Sequence, residues 1–169
     1  KAFSKELMKQ YHIPTAKYET FTGLDQALAY IREQGAPIVV KADGLALGKG
    51  VVVASTVAEA ETAVREMMED KKFGESGSTV VIEECMVGPE VTVLAFCDGE
   101  HLVPMLSSQD HKRAYDGNQG PNTGGMGAFC PSPKYTPEIA DRCVKEIFQP
   151  TIAALKAEGR PFKGVIYFG

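Results

Sequence analysis

Three glycines within seven residues, Gly44, Gly48 and Gly50, lie between two β-branched runs and constrain this chain more than any other feature. Ile38-Val39-Val40-Lys41 on one side and Val51-Val52-Val53-Ala54 on the other have the composition of short strands. A loop that must bring backbone N–H groups close to an anion needs positions without side chains, and glycine supplies them. Lys41 ends the first strand and Lys49 sits inside the loop, so cations accompany those donors. A strand–loop–strand flap over phosphate groups follows. It is not a Walker A loop, because Gly44-xxx-Gly48-Lys49 is one residue short and Gly50 stands where Ser or Thr should be. Nor is it a dinucleotide fingerprint, since GxGxxG is absent and no helix opens there. A protein-kinase loop would put its lysine on a later strand and require an HRD-type catalytic loop, which the chain lacks. The bland alternative is a glycine-rich hairpin with solvated lysines.

The rest of the chain alternates helices, strands and hairpins. Residues 2–11 read as a helix with Phe3, Leu7 and Met8 on one side, and residues 17–21 as a strand. Thr22 is expected to cap a helix carrying Leu24, Ala27, Leu28 and Ile31 on one stripe, with Gly35 ending it. Thr56-Val57-Ala58-Glu59 fits a capping box for a helix to about residue 70, with Ala60, Ala63, Val64, Met67 and Met68 inward. Strands are expected at 79–84, 90–97 and 101–105, with Asp98-Gly99 turning the last two. Residues 107–128 show neither period and read as a long polar loop, a length at which loops are usually functional. Thr136-Pro137 starts a last helix that Pro150 should bend or break, and residues 164–169 read as a buried strand. This order predicts an α+β fold rather than a doubly wound parallel sheet. Its division falls near Glu84, giving a first part of residues 1–82 and a second of 83–169.

Two further segments carry chemistry. Glu83-Glu84-Cys85-Met86 ends a strand, and Glu90 follows a Gly-Pro turn. In a nucleotide site, such a segment can offer its backbone to a base and a carboxylate to ribose hydroxyls, although an acidic strand end is also common on solvated surface. Within the polar stretch, Lys112 and Arg113 can neutralise anionic oxygens, and Asp110 can bind an amine or hydroxyl. Gly120-Pro121-Asn122-Thr123-Gly124-Gly125-Met126-Gly127 again offers close backbone approach. His111 could serve as a base, but a lone polar-loop histidine is more often a hydrogen-bonding support.

The net charge of −4 disfavours a general nucleic-acid or membrane surface. No apolar run approaches the ~20 residues needed to span a bilayer, and no signal-peptide core opens the chain, so a cytoplasmic location is expected. Cys85, Cys97, Cys130 and Cys143 lack metal-ligand spacing and are expected to be reduced, mostly buried thiols. No metal site is expected among the residues present. A first residue of Lys and a last residue inside an apolar run suggest a fragment of a longer protein.

Taken in series, these segments resemble the ATP-grasp superfamily, and within it the glycinamide ribonucleotide synthetases (phosphoribosylamine–glycine ligases) of purine biosynthesis. The carrying residues are Ile13-Pro14-Thr15-Ala16, Lys41-Ala42-Asp43-Gly44-Leu45-Ala46, Gly48-Lys49-Gly50-Val51 and Ile82-Glu83-Glu84. More specific still are Ser108-Gln109-Asp110-His111-Lys112-Arg113 and residues 120–127. The resemblance implies an ATP-grasp fold of two α+β subdomains with the nucleotide site between them, its C-terminal part truncated here. It also implies ligation of glycine to 5-phosphoribosylamine through glycyl phosphate, with ATP and Mg²⁺ or Mn²⁺. Lys41 is then the strand lysine on the phosphates, acting with Gly48, Lys49 and Gly50. Glu83, Glu84, Cys85 and Met86 become the adenine hinge and Glu90 the ribose carboxylate. Arg113 and Asn122 fall near the phosphates and the reacting carboxylate, making Arg113 and Lys41 the candidate catalytic residues. Asp110, Lys112, Thr123, Gly124 and Gly125 fall to glycine and the ribosyl substrate. Cys85 stands where Phe or Leu is common in the family. The family's metal-binding Glu and Asn follow the last strand, so this chain alone is expected to be inactive. The expected partners are small molecules, with no nucleic acid or membrane, and the expected state is a monomer or weak oligomer. Another ATP-grasp carboxylate–amine ligase and a non-catalytic nucleotide-binding module remain as alternatives.

Overall fold

Residues 1–44, 50–70 and 74–169 are described by the computed structural model. They form two units, Lys1–Val87 and Gly88–Gly169. The first contains α1 (Ala2–Gln10), β1 (Tyr18–Phe21), α2 (Leu24–Gln34), β2 (Ile38–Ala42), β3 (Val51–Ala54), α3 (Val57–Met68), a 3₁₀ turn (Gly74–Gly77) and β4 (Val80–Glu84). Its strands form one antiparallel sheet in the order β1-β4-β2-β3.

Side chains alternate across a strand, so this sheet has two chemically different faces. Ile38, Val40, Ala42, Val80 and Ile82 join Ala27, Ile31, Ala60, Ala63, Val64 and Met67 of α2 and α3 in the core. Each large aliphatic side chain fully buried there contributes about 1.5–3 kcal/mol. The opposite face carries Val39 beside Glu83 and Lys41 beside Val81, as the pairing of β2 with β4 dictates. The inward stripe expected for α3 is therefore present, with Met68 packed at its edge.

Local chemistry accounts for most element ends. Gly35, at φ +78, closes α2 in a conformation that side chains resist. Thr56 caps α3 by accepting a hydrogen bond from Glu59 N–H at 3.2 Å, and Glu59 Oε2 accepts one from Ser55 N–H at 2.7 Å. Thr22 is not the cap of α2. The helix begins at Leu24, which puts Gly23 in the capping position, and no side chain bonds the first turn. In α1 the buried residues are Lys5 and Leu7, whereas Phe3 is half exposed.

The second unit contains β5 (Val93–Cys97), β6 (Leu102–Pro104), β7 (Gln109–Tyr115), β8 (Gln119–Phe129), α4 (Pro137–Cys143), a π-turn (Val144–Phe148), α5 (Gln149–Ala157) and β9 (Gly164–Phe168). A three-stranded antiparallel sheet runs β6-β5-β9. The ring of Phe148 meets that of Phe168 at 4.1 Å between centroids. Thr136 caps α4 as expected, accepting from Ile139 N–H at 3.4 Å. Pro150 does not break the last helix; a π-turn immediately before it widens the backbone where the missing N–H would interrupt the ladder.

Three expectations are overturned here. Residues 107–128 are not a structureless loop: β7 and β8 pair as an antiparallel hairpin, turned through Gly117 and Asn118, both at positive φ. Most of its residues are half-buried or exposed, so neither strand needs an apolar alternation. β9 is not a buried strand, because Val165 and Tyr167 are exposed. All four cysteines are free thiols, but of them only Cys97 is buried.

Candidate functional site

In the first unit, charge gathers on the sheet face opposite α2 and α3. Lys41 is delivered there by β2 and Glu83 by β4, and the two form an ion pair. Lys5, from α1, reaches the other Glu83 oxygen, Oε2, at 2.5 Å. The Glu83 side chain is only 6% exposed, yet Oε2 receives no well-aligned hydrogen bond. Lys5 also donates to Thr15 Oγ1 at 2.8 Å and to the Ala16 carbonyl at 3.3 Å, and lies 5.3 Å from the centre of the Tyr18 ring. Burial lowers the pKa of both lysines. For Lys41 the charges of Lys5 and Lys1 act in the same direction, whereas for Lys5 the carboxylate of Glu84 partly offsets the burial.

The glycine-rich segment starts from this cluster. Ala42 N–H donates to the Gly50 carbonyl at 2.8 Å, and Lys41 pairs with Val51, so β2 and β3 clamp both ends of the segment. Lys1 Nζ donates to the carbonyls of Asp43 and Gly44 at 3.2 and 2.9 Å. Gly48 and Lys49 lie outside the described residues. Lys1 and Lys5 were not among the residues singled out in sequence, although a signal was available. Lys1, Lys5 and Lys9 recur every fourth residue, which aligns them along one side of a helix.

The hinge residues divide by environment. Glu84 N–H donates to the Lys17 carbonyl at 2.9 Å, and Glu84 Oε1 accepts from Lys17 N–H at the same distance, so β1 holds this strand end. Cys85 is half-buried and Met86 is 72% exposed.

In the second unit, the β7–β8 hairpin collects the other candidates. Lys112 pairs with Glu90 at 2.6 Å and lies 3.6 Å from Asp110. The hydrogen bond it donates to Glu90 raises the lysine's pKa, against a smaller opposing effect of burial. Arg113 sits opposite Asn122 in the register and donates through Nη1 to the Gly120 carbonyl at 2.6 Å. Thr123 Oγ1 donates to the Lys112 carbonyl at 2.8 Å and accepts from Gly125 N–H at 3.1 Å, which folds Thr123-Gly124-Gly125 into a tight turn. His111 packs its ring against Phe129, at 5.4 Å between centroids.

Two cavities among the described residues lie apart from these hairpin side chains. One of about 480 Å³ is lined by Gly99, His101, Leu102, Val144, Ile152 and Lys156. Another of about 390 Å³ is lined by Lys9, Thr15, Lys17, Tyr18, Glu19 and Tyr30. Among the described residues, no group of three or more His, Cys, Asp or Glu side chains could hold a metal ion. The chemistry on offer is therefore neutralisation of negative charge by fixed ammonium and guanidinium groups, with backbone donors beside them.

Residues 1–169 match the family described as phosphoribosylglycinamide synthetase, ATP-grasp (A) domain. The chain belongs to this family. A phosphoribosylamine–glycine ligase from Vibrio vulnificus is 54% identical over 169 residues, which are 100% of this chain and 39% of that protein. The chain thus spans about two fifths of the length of such relatives. The crystal structure of phosphoribosylamine–glycine ligase from Thermotoga maritima matches with a TM-score of 0.89 at 32% identity, over 99% of this chain and 42% of that one. Biotin carboxylase from Campylobacter jejuni, in its β,γ-ATP complex, shares the fold at 18% identity with a TM-score of 0.70, over 98% of this chain and 35% of that one. The α+β architecture of this chain is accordingly that of an ATP-grasp domain.

Proposed function

We propose that the protein carrying this ATP-grasp domain is an ATP-dependent ligase that joins glycine to 5-phosphoribosylamine, giving glycinamide ribonucleotide, ADP and phosphate. The 54% identity to a phosphoribosylamine–glycine ligase, over an alignment that spans the whole chain, carries this proposal. The substrates are small and metabolic, which agrees with a cytoplasmic enzyme. Among the described residues no helix is long and apolar enough to cross a membrane.

The chemistry accounts for the residue types. A carboxylate is a poor acyl donor, so glycine first takes the γ-phosphoryl group of ATP on a carboxylate oxygen, releasing ADP. The amine of phosphoribosylamine then attacks the acyl carbon. A C–N bond forms, the C–O bond to phosphate breaks, and phosphate leaves as the nitrogen sheds its proton. Such transfers depend on positioning and charge neutralisation more than on a nucleophilic side chain. Lys41 is the cation for the ATP phosphates, with Gly48, Lys49 and Gly50 covering them. In the hinge, the Glu83 carboxylate is committed to lysines and the Glu84 N–H to Lys17, so adenine is left to the backbone of Cys85 and Met86. Glu90 serves the ribose, Arg113 and Asn122 the transferring phosphoryl group. Asp110, Lys112 and the Thr123-Gly124-Gly125 turn receive glycine and the ribosyl amine. Mg²⁺ or Mn²⁺ belongs with ATP here, but the described residues do not assemble a ligand set for it.

ADP release by the full-length protein should require both glycine and phosphoribosylamine. Release that proceeds equally well with a different carboxylate or amine would point to another ATP-grasp ligase. Replacing Lys41 by Ala removes a charge-assisted contact worth about 1.5–3 kcal/mol, so calorimetry should show ATP affinity falling roughly 10- to 100-fold. An unchanged affinity would remove Lys41 from the phosphate site.

A further inference from the structure

Two ammonium groups converge on one buried carboxylate, and their hydrogen-bonding capacities differ. An ammonium has three N–H donors. Lys5 has three acceptors around it within the protein, Thr15 Oγ1, the Ala16 carbonyl and Glu83 Oε2, and its side chain is only 11% exposed. Lys41, by contrast, has Glu83 as its ion-pair partner among the described residues, and its side chain is 29% exposed. The two lysines therefore have separate tasks: Lys5 is inward, held by two hydrogen bonds and its ion pair with Glu83, while the more exposed Lys41 keeps donors to offer a ligand. Glu83 is the link between them, with one oxygen turned to each.

We propose that Lys5 and Glu83 are positioning residues that act in sequence, Lys5 anchoring the Glu83 carboxylate and Glu83 holding the Lys41 ammonium on the sheet face opposite α2 and α3. The proposal rests on the nucleotide role given to Lys41. It also explains why so costly an arrangement is kept on this face: an unpaired buried charge is severely penalised, and the carboxylate lets two cations stand close together. The charges facing Lys41 are Glu83 on β4, Lys5 on α1, and Lys1 with Asp43 at the start of the glycine-rich segment. Tyr18 on β1 and Glu84 on β4 adjoin Lys5.

The arrangement has a pH signature. Lys41 binds phosphate as an ammonium, so ATP affinity should fall as pH rises through a lysine pKa already held below its ordinary 10.5. ATP affinity of the full-length protein would be measured by calorimetry between about pH 7.5 and 10, where lysines of lowered pKa lose their proton. In Glu83→Gln the two ammonium groups face each other without a carboxylate, so the alkaline fall should move down by about one unit or more, while Glu83→Asp should keep it near its original place. In Lys5→Met the repelling charge is gone, and the fall should move up. The double variant Lys5→Met/Glu83→Gln should lie between the two single variants. A residue that merely supports the fold would weaken binding equally at every pH.

Should Glu83→Gln fail to give the cooperative urea transition of the parent, Lys5→Met and Glu83→Asp carry the test. An unmoved fall in Lys5→Met would then overturn the proposal. If Lys41→Ala weakens ATP binding but the alkaline fall is unmoved in every folded Lys5 and Glu83 variant, only the positioning roles are lost. If Lys41→Ala leaves ATP binding intact, the nucleotide role of Lys41 fails and the positioning roles fail with it.

Discussion

Arg113 shows how much one side chain's role depends on its neighbour. One of its five N–H donors is spent on the Gly120 carbonyl across the hairpin, which aims the guanidinium and leaves the rest for anionic oxygens. Gly120 must be glycine for this: its φ is +82, and a Cβ there would run into the ring of Tyr115. If Arg113 neutralises charge that develops during phosphoryl transfer, Arg113→Ala should lower kcat by roughly 10²–10³-fold while raising the KM for ATP far less. A change confined to KM would make it a ground-state binding residue. The types and spacing of such residues were legible in sequence, including Lys41, Arg113 and Glu90. Their partners were not. Nothing in the order of residues says that the Glu83 carboxylate faces Lys41 and Lys5, because that contact joins segments about 40 and 80 residues apart in the chain.

Elements were legible wherever the signal is local. At Thr56 and Glu59 the bonds span three and four residues, Glu59 N–H donating to Thr56 Oγ1 and Ser55 N–H to Glu59 Oε2, and the helix begins where the sequence predicts. Thr56→Ala should therefore cost about 1 kcal/mol, read as a lowered urea midpoint at unchanged slope. A shift within error would mean that packing of α3 on the sheet, rather than its cap, holds the first turn. The β7–β8 hairpin shows the opposite case. Its strands are largely solvent-facing, and β8 is rich in glycine, so their sequence carries no apolar alternation to read. What holds them is backbone pairing, with Arg113 and Thr123 bonding across. The start of α2 is ambiguous in sequence: Thr22 is a good capping residue, but the chain enters the helix one residue later, through Gly23.

At the scale of the whole chain, residues 86–90 join the two units, and every one of them is exposed, with Val87 at 94%. Backbone in such a junction is accessible to a protease before either unit opens. Limited digestion of the 169-residue polypeptide should first cut near Val87 and Gly88, giving fragments that mass spectrometry assigns to the two units. Early cuts inside β2 or β4 would instead show that the first unit opens independently of the junction.

By itself the sequence determined the α+β class, the strand–glycine loop–strand order and the family, since these rest on local periodicity and on motifs read in series. Tertiary structure alone decided which charges meet. It made Glu83 the partner of two lysines, brought Lys1 to the start of the glycine-rich segment, and made the polar stretch a hairpin. The reason is physical. Helix caps and strand patterns are fixed by neighbours a few residues away, whereas a buried ion pair depends on the register of strands and the packing of a helix that the chain brings together only on folding.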